Sequence, residues 1–163
     1  MLVDAVAELK TKGENYNLVF VGNELEGENL KARVKGLGLT DAVWFYVACY
    51  DEKTNAELIY NADLCVAPGN VGLTAMHTMV FGTPVISHND FKWQMPEFEA
   101  IKPGQTGDFF ERNNVQSLVR TISKWFSEKK GKREEVRQAC YNEIDTNWNP
   151  YYQMEIIKKH IKI

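Results

Sequence analysis

Long apolar runs, an excess of positive charge and a regular cysteine pattern are all missing from this sequence. No apolar stretch approaches the roughly 20 residues that a membrane-spanning helix needs, and the N-terminus lacks the charged-then-apolar pattern of a signal peptide. The three cysteines, Cys49, Cys65 and Cys140, are widely spaced, which is typical of free thiols in a reducing compartment rather than of a disulfide framework. These absences indicate a cytoplasmic protein. Association with a membrane surface would need a part outside this chain.

The net charge of −3 does not favour a polyanionic partner. A basic cluster at residues 129–133 is flanked by Glu128, Glu134 and Glu135, which favours a solvated helix junction over a nucleic-acid patch. With 163 residues, 44% of them hydrophobic and 25% charged, the chain has the length and composition of one ordinary globular domain. We therefore expect a single domain over residues 1–163 and no nucleic-acid partner.

Short apolar runs alternate with amphipathic stretches along the chain. Strands are predicted at residues 17–22, 43–47, 64–67, 84–87 and 108–110. Helices are predicted at residues 2–12, 26–37 and 51–60, in the short stretch after Gly72, from Asn113 or Asn114 to Phe126, and at 134–144 and 150–161. This alternation is typical of βαβ units. It predicts an α/β fold with a Rossmann-like parallel sheet, helices on both faces and ligand sites at the carboxyl ends of the strands.

Residues 67–86 combine the end of a buried strand, a glycine-bearing turn, a short helix, a Gly-x-Pro break and a second buried strand. Such a turn leaves backbone N–H groups free at the start of a helix, where they favour a phosphate or another anion. The alternative is a tight turn that needs small residues for its shape alone. The irregular stretch at residues 88–98 follows the next strand, so it is expected at the same edge of the sheet.

Several fragments in order give the chain a family resemblance. Gly36-Leu37-Gly38-Leu39-Thr40-Asp41-Ala42-Val43-Trp44-Phe45 is similar to an "LGL-x-D-x-V-x-F" segment, and residues 58–68 resemble "Y-x-x-AD-x-x-x-x-P". Gly72-Leu73 with residues 79–86 resembles "FGL…EAMA-x-G-x-PVI", and Pro96-Glu97 and residues 104–107 follow in the expected order. The chain thus resembles the C-terminal, donor-binding domain of GT-B glycosyltransferases, in particular the large retaining family of bacterial polysaccharide transferases (group 1, or family 4).

The resemblance implies roles for particular residues. Gly72, Leu73 and Thr74 would offer backbone N–H groups to the diphosphate of a nucleotide-sugar. Residues 47–50 would lie by the base, where the side chain of Tyr50 can cover its face, while Tyr46 is at least as well explained by core packing. The nucleotide-sugar is a substrate, and the resemblance implies neither a cofactor nor a metal.

Members of the family usually carry two glutamates, one in the turn before the short helix and one within it, and this chain has neither. His77 stands at the second position, and the turn carries no acid. A neutral imidazole accepts through one nitrogen only, so it cannot replace a bidentate carboxylate. His77 could contact the ribose or a phosphate, be a structural helix residue, or act in acid–base chemistry, so no catalytic residue is assigned. His88 is placed at the same crevice, either contacting sugar or phosphate or shaping the loop, and Glu97 or Glu99 could supply the lost carboxylate.

A second departure concerns the start of the chain. In the family this domain opens with a strand whose loop brings an arginine and a lysine to the diphosphate, whereas here the sequence opens in the following helix. We expect a fragment of a longer two-domain transferase, with the first strand and the acceptor-binding domain outside it and without activity on its own. The full-length enzyme would transfer a hexose-type sugar to a polysaccharide or lipid-linked acceptor. Alternatives are a catalytically decayed nucleotide-sugar-binding domain, or half of a nucleotide-sugar 2-epimerase.

Overall fold

The computed structural model describes residues 1–22 and 27–161, which contain seven α-helices and five β-strands. The helices are α1 (Leu2–Thr11), α2 (Gly27–Gly36), α3 (Glu52–Asn61), α4 (Thr74–Met79), α5 (Val115–Glu128), α6 (Arg133–Asn147) and α7 (Pro150–His160). The strands are β1 (Leu18–Val21), β2 (Val43–Tyr46), β3 (Cys65–Ala67), β4 (Val85–His88) and β5 (Gly107–Phe110). The alternation predicted from the sequence is confirmed. The predicted start of the second helix at Glu26 lies outside the described residues.

All the strand pairs are parallel, as predicted, but they form two sheets instead of one. Strand β1 pairs with β2, and a second sheet has the order β3-β4-β5. Within the described residues, β1 and β3 each have a neighbour on one side only. Apolar patterns locate strands, whereas pairing depends on which elements lie side by side in space, so the sequence did not predict this division.

The core is densest around β4, whose four residues are all buried. Such a strand, covered on both faces, is typical of a parallel sheet flanked by helices. Helix α1 joins the two sheets, because Ala5 and Leu9 belong to the large core cluster around β4 while Val3 and Val6 pack in a smaller cluster under β1 and β2. The two pairs occupy adjacent faces of the same helix.

Side-chain caps fix the starts of three helices. Asp51, Asn114 and Asn149 each accept a hydrogen bond from a backbone N–H in the first turn of α3, α5 and α7, respectively. Of the two candidates for the start of α5, the cap is therefore Asn114. Within residues 1–22 and 27–161, no helix combines the length and apolar character needed to cross a membrane.

Candidate functional site

The turn between β3 and α4 has the backbone geometry that the sequence predicted only in outline. Gly72 has φ +46°, in the left-handed region that glycine enters readily. In the part of the chain that the structure describes, the N–H groups of Gly72 and Leu73 donate no hydrogen bond. The N–H of Thr74 instead donates to Val71 O at 3.1 Å. Two of the three expected N–H groups are therefore unoccupied, and the third is engaged within the turn.

Gln94 braces this turn from the loop that follows β4. Its Oε1 accepts from the Val71 N–H at 2.9 Å, and its Nε2 donates to Ser87 Oγ at 2.8 Å and to His88 O at 3.0 Å. A second link joins the same segments, since Asn70 Oδ1 accepts from the Met95 N–H at 3.1 Å. The loop thus holds the turn in place. In the sequence, the only sign of this brace was a polar residue in an irregular stretch directly after a strand.

His77 lies on α4 with 46% of its side chain exposed. Its ring centroid is 5.7 Å from that of Phe81. Its Nε2 is 4.0 Å from Oε2 of Glu52, an exposed residue in the first turn of α3. The structure therefore brings a carboxylate to His77 from a residue that the sequence analysis did not single out. No motif could have found it, because Glu52 is remote in sequence and nothing about its spacing is distinctive.

The two acidic residues considered as replacements lie elsewhere in the site. Glu97 and Glu99 belong to a short 3-10 helix, Pro96–Ala100, in the loop after β4. Glu99 is exposed, while Oε2 of Glu97 is buried without a hydrogen-bond partner in the described part of the chain. Among the described residues, the structure records no contact between either carboxylate and His77. Their predicted role as substitutes for the lost carboxylate stays untested.

His88 is the last residue of β4 and only 2% exposed. Its Nδ1 accepts from the Asp90 N–H at 3.2 Å, and Asp90 in turn pairs with Arg112 at 3.1 Å. Burial lowers the pKa of His88 and the nearby Arg112 charge lowers it further, while the Asp90 carboxylate raises it. The neutral ring therefore shapes the start of the loop, which is one of the two roles expected for it. Contact with a sugar or phosphate stays a prediction.

Tyr50 lies beyond the end of β2 and is 87% exposed. The segment that carries it is held by Asn55, whose Nδ2 donates to Cys49 O at 3.1 Å. Tyr46 is half-buried and packs edge-on against the exposed Trp44 with ring centroids 5.1 Å apart, so core packing of Tyr46 stays a prediction. Tyr50 and Gly72 follow strands of different sheets, so the candidate site spans the boundary between the two sheets.

The site presents backbone donors, an imidazole, a carboxylate and an exposed aromatic ring. Across residues 1–22 and 27–161, no group of three or more His, Cys, Asp or Glu side chains is placed to hold a metal ion. The unoccupied N–H groups of the turn can bind an anion, and the tyrosine offers a flat apolar face.

The family model described as "Glycosyl transferases group 1" matches residues 1–143. The chain belongs to the group 1 glycosyl transferases. The resemblance seen in the sequence fragments is thereby confirmed at the level of the family. A comparison with curated proteins finds no match.

Solved structures show the same fold over nearly the whole chain. A glycosyltransferase from Rickettsia africae ESF-5 has a TM-score of 0.75 at 20% identity, covering 99% of this chain and 44% of that one. HepE from Anabaena in complex with UDP has a TM-score of 0.74 at 20% identity, covering 97% of this chain and 43% of that one. The C-terminal domain of the group 1 family protein LpcC from Francisella tularensis has a TM-score of 0.72 at 20% identity, covering 91% and 78%. This group 1 chain thus spans less than half the length of the first two proteins.

Proposed function

We propose that this chain is the donor-binding half of a two-domain glycosyltransferase that takes a sugar from a nucleotide-sugar. The observation that carries the proposal is the turn at Gly72 and Leu73, with its unoccupied N–H groups at the carboxyl edge of a parallel sheet in a group 1 chain. A diphosphate matches such a site because several backbone donors can share its charge. The complex of Anabaena HepE with UDP supports this choice of ligand.

Within this proposal, Gly72 and Leu73 bind the diphosphate and the ring of Tyr50 covers the base. His77, with Glu52 beside it, faces the ribose or the sugar. The chemistry is mainly positioning and stabilisation of the leaving diphosphate by fixed donors, which act without reorganising during the reaction. The sugar we propose is of the hexose type, and the acceptor a polysaccharide or a lipid-linked molecule. Three free thiols accord with a cytoplasmic location.

We further propose that another part of the protein completes the fold. A parallel strand placed between β1 and β3 would pair with the free edge of each and merge the two sheets into one. The coverage of only 44% of the Rickettsia protein supports an additional domain, which would bind the acceptor. Without that domain we expect this chain to bind the donor and to transfer no sugar.

Leu73→Pro tests the phosphate contact directly. Leu73 has φ −59°, which proline adopts, its side chain is 72% exposed and its N–H makes no hydrogen bond within the described residues. The substitution therefore removes one free N–H and leaves the preceding glycine, the most permissive residue, to accommodate the ring. We expect the affinity for UDP, measured by isothermal titration calorimetry, to fall by about tenfold, because a charge-assisted hydrogen bond is lost. Leu73→Ala keeps the N–H and is the matched control. If both variants bind UDP equally tightly, the N–H of Leu73 does not contact the diphosphate.

The alternatives differ in what the full-length protein does with a donor. Titration with UDP- and GDP-sugars separates them, because a transferase turns the donor over and a decayed domain binds it without turnover. An epimerase would release an altered nucleotide-sugar with no acceptor present. The missing acid in the turn is the observation that favours the decayed domain as the second candidate.

A further inference from the structure

A cavity of about 310 Å³ opens at the edge of the three-stranded sheet opposite to the donor turn. Its walls come from the residues just before β3 and β4, from the end of α5 and from the start of α6. Asp63 and Pro84 mark the two strand starts, and Trp125 and Phe126 form an apolar wall. Because the strands are parallel, the cavity and the Gly72 turn lie at opposite ends of the same sheet.

Positive charge dominates the lining of this cavity. Lys129, Lys130, Arg133 and Arg137 all contribute to it, against the single carboxylate of Asp63. That carboxylate is already paired with Arg133, 2.7 Å from its Nη1. Because this pairing neutralises Arg133, the charges of the two lysines are the ones that favour an anionic occupant.

Arg137 forms the inner wall of the cavity, with two of its donors left without a hydrogen bond in the described part of the chain. It is 5% exposed, its Nη2 donates to Tyr60 O, and its guanidinium carbon lies 3.6 Å from the centroid of the Tyr60 ring. Its Nε and Nη1 are buried and have no hydrogen-bond partner among the described residues. The largely exposed carboxylate of Glu134 forms a long ion pair with Nε, at 3.8 Å. Buried polar groups nearly always have partners, so these donors are unusual.

The start of α6 adds backbone donors at the same place. The helix has 15 residues and begins at Arg133, and its N-cap residue Lys132 makes no side-chain cap. Its first N–H groups and its dipole are therefore available to an anion, although the exposed Glu134 and Glu135 lie in the same turn.

We propose that this cavity binds a phosphate group, carried by a small molecule or by a lipid headgroup, at a site separate from the donor site. Lys129 and Lys130 hold its charge, the start of α6 donates backbone N–H groups, and Arg137 forms the buried wall. The apolar side formed by Trp125 and Phe126 receives the part of the molecule that carries the phosphate.

The test is a titration of the 163-residue chain with inorganic phosphate and pyrophosphate, followed by NMR of the amide and indole N–H signals at constant ionic strength. We expect saturable shifts of the Gly131 amide and the Trp125 indole. Lys130→Gln, an exposed substitution that leaves the core intact, should weaken this binding by about tenfold. Lys35→Gln, which removes the same charge from the exposed end of α2, is the control and should change nothing.

The outcomes separate this site from the donor site and separate two sources of phosphate. Shifts confined to Gly72 and Leu73, or equal weakening by both lysine variants, would overturn the proposal. Sedimentation with phosphatidylglycerol vesicles but not with phosphatidylcholine vesicles, lost in Lys130→Gln, would identify a lipid headgroup as the source. Saturable binding of free phosphate without vesicle binding would identify a small molecule.

Discussion

Removal of the Gln94 side chain should loosen the donor turn and destabilise the domain. Gln94→Ala deletes three hydrogen bonds that tie the turn, β4 and the following loop together. The largest cost falls on the N–H of Val71, a residue only 2% exposed, because a buried donor left without a partner costs about 1–3 kcal/mol. Ser87 Oγ still donates to Ala67 O at 2.9 Å, so losing the hydrogen bond from Gln94 costs this hydroxyl little.

The sum of these effects is a decrease of about 2–3 kcal/mol in the free energy of unfolding. For a domain of this size, that corresponds to a fall in Tm of about 4–12 °C. Urea denaturation followed by circular dichroism measures the first quantity, and a thermal melt measures the second. The same variant should bind UDP more weakly, because the N–H groups of Gly72 and Leu73 lose their fixed direction.

Gln105→Ala is the matched control for this experiment. Gln105 is exposed, and its side chain makes no hydrogen bond within the described residues, so the free energy of unfolding should change by less than about 0.5 kcal/mol. If Gln94→Ala and Gln105→Ala unfold at the same urea concentration, the hydrogen bonds of Gln94 do not stabilise the turn.

Three further predictions concern stability and reactivity. In Gly82→Ala the new Cβ would lie 2.8 Å from the Tyr141 ring on a backbone with φ +77°, so we expect the free energy of unfolding, measured by urea denaturation, to fall by about 2–4 kcal/mol. Gly13→Ala is the control, because Gly13 has φ +83° but open space around it, so only the backbone strain should lower its free energy of unfolding. The pKa of His88 in the folded protein lies below its unfolded value of 6.5, so the unfolded chain binds the proton more readily and the free energy of unfolding should fall as the pH drops below about 6.5. The same pH dependence in His88→Asn would count against this assignment. Burial raises the pKa of the Cys140 thiol to about 12, so mass spectrometry should find it unmodified by iodoacetamide at pH 8 until the protein unfolds.

Local sequence patterns predicted the elements of the fold well. Short apolar runs located every strand that the structure describes, and the Asn149-Pro150 pair correctly marked the start of α7. The division of the strands into two sheets was not predictable, because pairing is a property of elements distant in sequence. The family resemblance came from ordered motifs and was confirmed by the match over residues 1–143.

The candidate site was predictable only where it depends on local backbone. The turn at Gly72 follows from its residues, whereas Tyr50 was singled out only through the family resemblance. The brace by Gln94 and the approach of Glu52 to His77 join residues more than 20 positions apart, so no periodicity reveals them. The burial of His88 was missed because the strand β4 continues one residue further than its apolar run.

Among the described residues, the two sheets are held together by side-chain contacts. Helix α1 couples the sheets through side-chain packing, and no strand pairing joins them within the described residues. If the proposed function holds, a nucleotide that touches both Tyr50 and Gly72 would connect segments that follow strands of different sheets, and part of its binding energy would go into ordering them. Bound UDP should therefore slow amide exchange in β1 and β2 as well as in the turn that holds its phosphates.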